Sequence, residues 1–377
     1  MLVVLLVVPG ALASQDAWGP RVLWSRDLGE GFAGFAREGG TLVTMYRRGG
    51  EEVIAALDRE TGRTRWEHAY AVPSLKDQDL SQGPGPHATP AIAAGLVCGA
   101  GSTGRLTCLD PGTGRVRWTH ELITGLGGTP VHRGYSSTPL ILGSHVVAQV
   151  GGEGRAIVAF DAASGREVWR AGSLANTNSS PVHVSAAGRD QIVAFMADTV
   201  AGFEAAGGRP LWSHPHPQRF DDNISTPLWL ADERLLVVSS ALDGGTRALR
   251  IDERGVAEAW HQPRAGSYYT NVMRAGGLLL LSSGGVGPTF FTGLDVRTGI
   301  IAWQSRDVKR ANGVVSGGRL VLRDEDGGLV IAEATEPGVK VLRRAQTLEA
   351  GAPSPPLLEG NVVYVRGRTR AMAIALD

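Results

Sequence analysis

Few residues in this chain have types and spacings that could support catalysis. His214-Pro-His216 sets two imidazoles two positions apart, as in a transition-metal pair. Prolines beside both histidines favour an extended surface loop, and no third ligand lies close in sequence. Asp324-Glu-Asp326-Gly-Gly alternates acids but lacks the rest of a calcium loop, so a solvated turn is expected. Cys98 and Cys108 are either two small core residues or a cross-strand disulfide, a bond that export would permit. There is no glycine-rich phosphate loop, nucleophile elbow or His-Glu-x-x-His. No catalytic, cofactor-binding or metal-binding residue is assigned, and no cofactor is expected. Binding chemistry is better represented. Polar and aromatic residues gather in a few irregular stretches: His132, Arg133 and Tyr135; Asp221, Asp222 and Asn223; Tyr268, Tyr269 and Asn271; and Arg310. Further polar residues, Asp77, Asp79, His87, Asn178 and Asn312, sit in equivalent stretches. Arg and Tyr are favoured anchors at protein interfaces, so these residues are candidates for holding a protein or peptide partner.

The elements that must position them come from a repeat. Asp58-Arg-Glu-Thr-Gly62-Arg-Thr-Arg-Trp66 recurs as Asp110 to Trp118, Asp161 to Trp169 and Asp295 to Trp303. Each copy has a hydroxyl residue and a glycine at +3 and +4 and a tryptophan at +8. Glu204 to Trp212 and Asp252 to Trp260 keep the two ends, and Glu333 to Val341 has lost the tryptophan. An apolar run, an Asp whose carboxylate can accept backbone N–H groups, a turn with Gly at positive φ and a second run ending in Trp together read as a β-hairpin. The tryptophans recur about every 42–52 residues, the length of a four-stranded propeller blade. Each is expected to pack in a seam between blades. Arg21-Val-Leu-Trp24 carries a Trp with no acid before it, and Ala373-Ile-Ala-Leu-Asp377 ends on an acid with no Trp after it. The two termini therefore complete one blade between them, closing a ring with no free edge.

The expected fold is all-β, an eight-bladed propeller of four-stranded antiparallel blades within a single domain, 14–377. The chain has 377 residues, 52 of them glycine, which suits many turns. With 37 basic and 37 acidic residues, composition gives no support to nucleic-acid binding. Residues 1–13 form an apolar run ending in Ala11-Leu-Ala13, too short to span a bilayer, and are read as a signal peptide. The mature protein is expected to be periplasmic or secreted, monomeric and without a lipid-anchoring cysteine or transmembrane segment. In a propeller the connections between the outermost strand of one blade and the innermost strand of the next gather on one face. The partner-binding candidates all lie in those connections.

The pattern apolar-Leu-Asp-x-x-Thr-Gly-x-x-x-Trp resembles the pyrroloquinoline-quinone repeat, and the resemblance covers essentially everything after residue 13. That repeat builds quinoprotein alcohol dehydrogenases and BamB-type outer-membrane assembly proteins, both eight-bladed. The first relationship implies a quinone and Ca²⁺ in the channel and a carboxylate that takes the substrate's proton. Those enzymes are much longer, and they carry two adjacent cysteines and calcium ligands that have no counterpart among the residues here. The second implies an exported, non-catalytic scaffold of similar length that binds a partner through one face. A third class, an exported propeller for a small ligand or polymer, uses the same architecture.

Overall fold

Among the described residues, apolar runs broken by glycine turns form 32 strands, paired into eight four-stranded antiparallel sheets. The computed structural model describes residues 18–72, 78–81, 83–220, 222–285 and 287–377. The segment read as a signal peptide lies outside them, as do Asp77 and Asp221. Blades 1 to 7 span residues 36–71, 91–121, 140–171, 182–215, 228–262, 273–305 and 311–346. Blade 8 takes its three inner strands from 357–375 and its outermost from Arg21–Asp27, which pairs with Arg370–Ala375. The ring is thus closed by both termini. The two middle strands of each blade are sandwiched by neighbouring blades. Leu279, Leu280 and Leu281 are accordingly all fully buried, which explains a run with no polar alternation.

The repeated acid builds the turn. Asp58 Oδ1 accepts from the Thr61 amide at 2.9 Å and the Thr61 hydroxyl at 2.8 Å, and Asp110, Asp161 and Asp295 do the same with Thr113, Ser164 and Thr298. The bond from Arg117 and that from Thr113 hold Asp110 down to about 2. Glycine at +4 lies at positive φ, +67° at Gly62 and +71° at Gly165.

That glycine also has a packing role. The tryptophan of each blade lies over the turn glycine of the next: Trp24 on Gly62, Trp66 on Gly114, Trp118 on Gly165, Trp169 on Gly208 and Trp260 on Gly299. Four of these indoles also donate to a carbonyl in that turn, Trp66 to Pro111 at 2.8 Å and Trp118 to Ala162 at 3.0 Å among them. A Cβ at Gly165 would sit 2.5 Å from the Trp118 ring. Blades 5 and 7 lack the turn, and there the preceding tryptophan folds back on its own blade. Trp212 and Trp303 pair across the strands with Gly202 and Gly293, where the other blades have Ala56, Cys108, Ala159 and Ala248. Trp212 is consequently only half-buried, unlike the other repeat tryptophans, and bonds Gln191 Oε1 at 2.7 Å.

Gly165→Ala should therefore lose about 2–4 kcal/mol, summing left-handed strain and overpacking. Gly154→Ala, also at φ +70° but facing open space, should lose only about 1 kcal/mol. Urea unfolding of the two variants checks this, and equal losses would deny the tryptophan any share.

Two expectations need correction, and one alternative is settled. His216 is not on a surface loop: it is fully buried, with Nε2 2.7 Å from Ser240 Oγ, and burial pushes its pKa down to about 3. Asp324 is not solvated, because its carboxylate folds inward to accept the Gly328 amide at 2.7 Å. Of the two readings of the cysteines, the structure takes the disulfide: Cys98 and Cys108 are directly paired across two strands and bonded, with Cα atoms 4.1 Å apart.

Candidate functional site

The loops entering the innermost strands meet around the axis. Every seam between blades is tied there by a hydrogen bond. Gly34 N donates to Thr89 Oγ1 at 3.0 Å, Tyr135 N to Ser102 O at 2.8 Å, and Thr138 N to Ser180 Oγ at 3.0 Å. Asn223 N donates to Thr177 Oγ1 at 2.8 Å, Thr226 N to Asn271 Oδ1 at 2.9 Å, and Asn271 N to Asn312 Oδ1 at 2.8 Å. Asn312 Nδ2 reaches Pro353 O, and Ser354 Oγ reaches Phe32 O, both at 2.6 Å. These short polar side chains precede the innermost strands in sequence, except Asn312, which lies at the start of one. A proline often follows them, and it keeps the chain extended there.

Inside this girdle is a cavity of about 170 Å³ lined by residues from all eight blades. Among the described residues its walls are hydroxyls and amides, with Phe32, Ile224 and prolines, one cation in Arg133 and no carboxylate. His87 stacks on Phe32, with ring centroids 5.9 Å apart. Burial and the nearby Arg133 hold His87 down to about 4, so it is neutral at pH 7.

Arg133 reaches across the ring from the loop before blade 3 to the loop before blade 6. Its guanidinium lies 5.8 and 5.4 Å from the Tyr268 and Tyr269 rings, and Arg310 approaches Tyr269 from another side at 5.8 Å. Asp79 pairs with Arg133 at 3.3 Å and Glu325 with Arg310 at 3.4 Å. Burial, then Asp222, raises the Tyr268 hydroxyl. Tyr269 adopts φ +62°, a left-handed conformation costing a non-glycine residue of order 1–3 kcal/mol, which the surrounding stack must offset.

Among the residues selected from sequence, Arg133, Asp222, Tyr268, Tyr269, Asn271 and Arg310 converge on this mouth. His132 stands apart, exposed on the rim. Tyr135 and Asn223 are not available to a partner. Tyr135 is 2% exposed and donates its hydroxyl to Gln149 O at 2.9 Å. Asn223 is fully buried and bonds Met196 O and Ala197 O. Tyr268 is also buried, at 3% exposure, and serves as a wall for the stack. Two residues escaped the sequence reading. Phe32 faces the cavity. Phe220, 64% exposed beside Asp222 in its loop, is the most prominent apolar group on this face among the described residues. A lone aromatic within Gln218-Arg-Phe-Asp-Asp222 was the available signal for the latter.

The sequence matches the family described as outer membrane protein assembly factor BamB over residues 4–171 and 50–305. No sequence among the curated proteins matches the chain. Among solved structures it is similar to BamB from Moraxella catarrhalis, at 17% identity and a TM-score of 0.68, covering 95% of this chain and 98% of that one. It is also similar to the quinohemoprotein alcohol dehydrogenase of Comamonas testosteroni, at 14% identity and a TM-score of 0.63, covering 94% and 76%. A europium-containing methanol dehydrogenase matches at 14% identity and a TM-score of 0.68, covering 92% and 84%. At these identities the structural likeness is one of fold.

Proposed function

The chain belongs to the outer membrane protein assembly factor BamB family, and from that premise we propose that it is an exported, non-catalytic scaffold holding a protein or peptide partner on the face that carries Arg133, Phe220 and Tyr269. The observation that carries this is the make-up of the axial mouth. A hard cation such as Ca²⁺ wants carboxylate oxygens, and the lining offers none among the described residues. The nearby Asp79 is held by Arg133, and Asp222 accepts from Asn178 Nδ2 at 3.0 Å. At about 170 Å³ the cavity is also smaller than the roughly 300–1,000 Å³ of pockets for drug-sized ligands. The two cysteines are joined inside blade 2, away from this lining. The residues present therefore do not fit a quinone with its calcium ion. What they offer is a rigid rim with an exposed phenylalanine and stacked Arg and Tyr groups, the composition of a protein-binding patch.

A photo-crosslinking residue at His132 or Phe220 should capture a discrete partner in cells. The same residue at Ser185, on the other face, should not. Dye-linked oxidation of an alcohol or sugar that depends on added quinone and Ca²⁺ would overturn the scaffold reading in favour of a dehydrogenase.

A further inference from the structure

Three seams lack the tryptophan-on-glycine contact, and two of them are filled another way. Between blades 6 and 7, Val339 and Val341 pack with Trp303. Between blades 7 and 8, Trp18, Leu342 and Leu376 pack against Val363 and Ile374. The seam between blades 4 and 5 is filled only in its interior, where Trp212, Trp229 and Val256 pack against Val184, Phe195, Leu236 and Ile251, and it stays open beside its turns. Blade 5 replaces the Thr-Gly turn with a tight hairpin in which Asp252 pairs directly with Gly255. Trp212 finds no glycine there and lies on Gly202. A cavity of about 570 Å³ remains, walled by Trp229, Arg234, Glu253 and Arg254. An adjoining lobe of about 130 Å³ shares the 251–254 hairpin and is walled by Gln191 and Trp212. This cleft is built from the turns on the face opposite the axial mouth.

We propose that the cleft is a binding site for a neutral oligosaccharide. Two half-buried indoles supply flat apolar surfaces for the C–H faces of pyranose rings. Arg234, Glu253 and Arg254 have no ion-pair partner among the described residues, so their planar groups are free to grip vicinal hydroxyl pairs. The rim carries both signs of charge, which gives a strongly charged ligand no net attraction. Two connected lobes suit a run of sugars better than a single ring.

The test is calorimetric titration of the full-length mature protein with cellotetraose and with chitotetraose, followed in parallel by tryptophan fluorescence. At least one should bind saturably. Trp229→Ala should weaken that binding by about tenfold or more. Because Trp229 also packs on the core, Arg254→Ala and the rim variant Ser185→Tyr serve as independent checks. Both should weaken binding while leaving the urea midpoint unchanged. No saturable binding of either sugar would overturn the proposal. So would binding indifferent to all three variants, or binding only of tetragalacturonate or of an extended peptide.

Discussion

Deleting Ala371 to Asp377 is expected to abolish the cooperative fold. These residues are most of the third strand of blade 8, among the described residues the only strand hydrogen-bonded to the N-terminal strand. Ala371, Ala373 and Ile374 are fully buried, and Met372 nearly so. Burying Met372 and Ile374 contributes about 1.5–3 kcal/mol each. The deletion also strips partners from two strands at once and leaves Trp24 without support at the closing seam. Against a total stability of roughly 5–15 kcal/mol, that loss is comparable with the whole. Circular dichroism melting of the truncated protein checks it, and a wild-type transition would show that the ring does not need its closure.

The second large effect is expected at Arg366. This side chain is 1% exposed, at the seam between blades 8 and 1. Nη1 donates to Met45 O at 3.1 Å and Thr44 Oγ1 at 3.3 Å, and Nη2 to Gly29 O at 2.8 Å. Among the described residues no carboxylate bonds it, and burial pushes its pKa down to about 10. Two effects compete on substitution. Removing the guanidinium relieves the cost of burying a charge, but it orphans two carbonyls and leaves a void. Each orphaned acceptor costs about 1–3 kcal/mol, so Arg366→Ala should lose about 3–5 kcal/mol in urea unfolding. Arg366→Met fills the void while leaving the carbonyls bare, and should fall between alanine and wild type. A methionine variant as stable as wild type would mean the charge costs as much as its hydrogen bonds contribute.

The ring, the blade count and the shared closing blade were legible because they rest on a pattern repeated within the chain. The acid, glycine and tryptophan fix the hairpin locally, so each copy could be read without knowing its neighbours. What could not be read locally was which partner each copy meets. The glycine at +4 looked sufficient as a turn residue, yet it also makes room for an indole 38 to 48 residues earlier. Gly202 and Gly293 stand in plain view two residues before their acids, but their meaning depends on a turn missing from the following blade. The candidate face was legible at the level of loops, since topology alone gathers them. Individual side chains were not. Tyr135 and Asn223 differ from Tyr269 and Asn271 only in contacts made across a seam, which sequence spacing does not reveal.

Strand direction within the closing blade has a practical consequence. Each innermost strand leaves the axial mouth, so the third strand of a blade ends on the opposite face and the fourth begins there. The first described residue, Trp18, and the last, Asp377, therefore both emerge on that opposite side, and Arg343 touches each of them. A tag, a tether or a solid support joined at either end would hold the disc by its back. Arg133, Phe220 and Tyr269 would then be presented outward, and the blade 4–5 cleft would face the support. A biosensor surface carrying this protein by one terminus would report on the loop face and under-report the cleft. Immobilisation through an engineered cysteine on the loop face would reverse the bias.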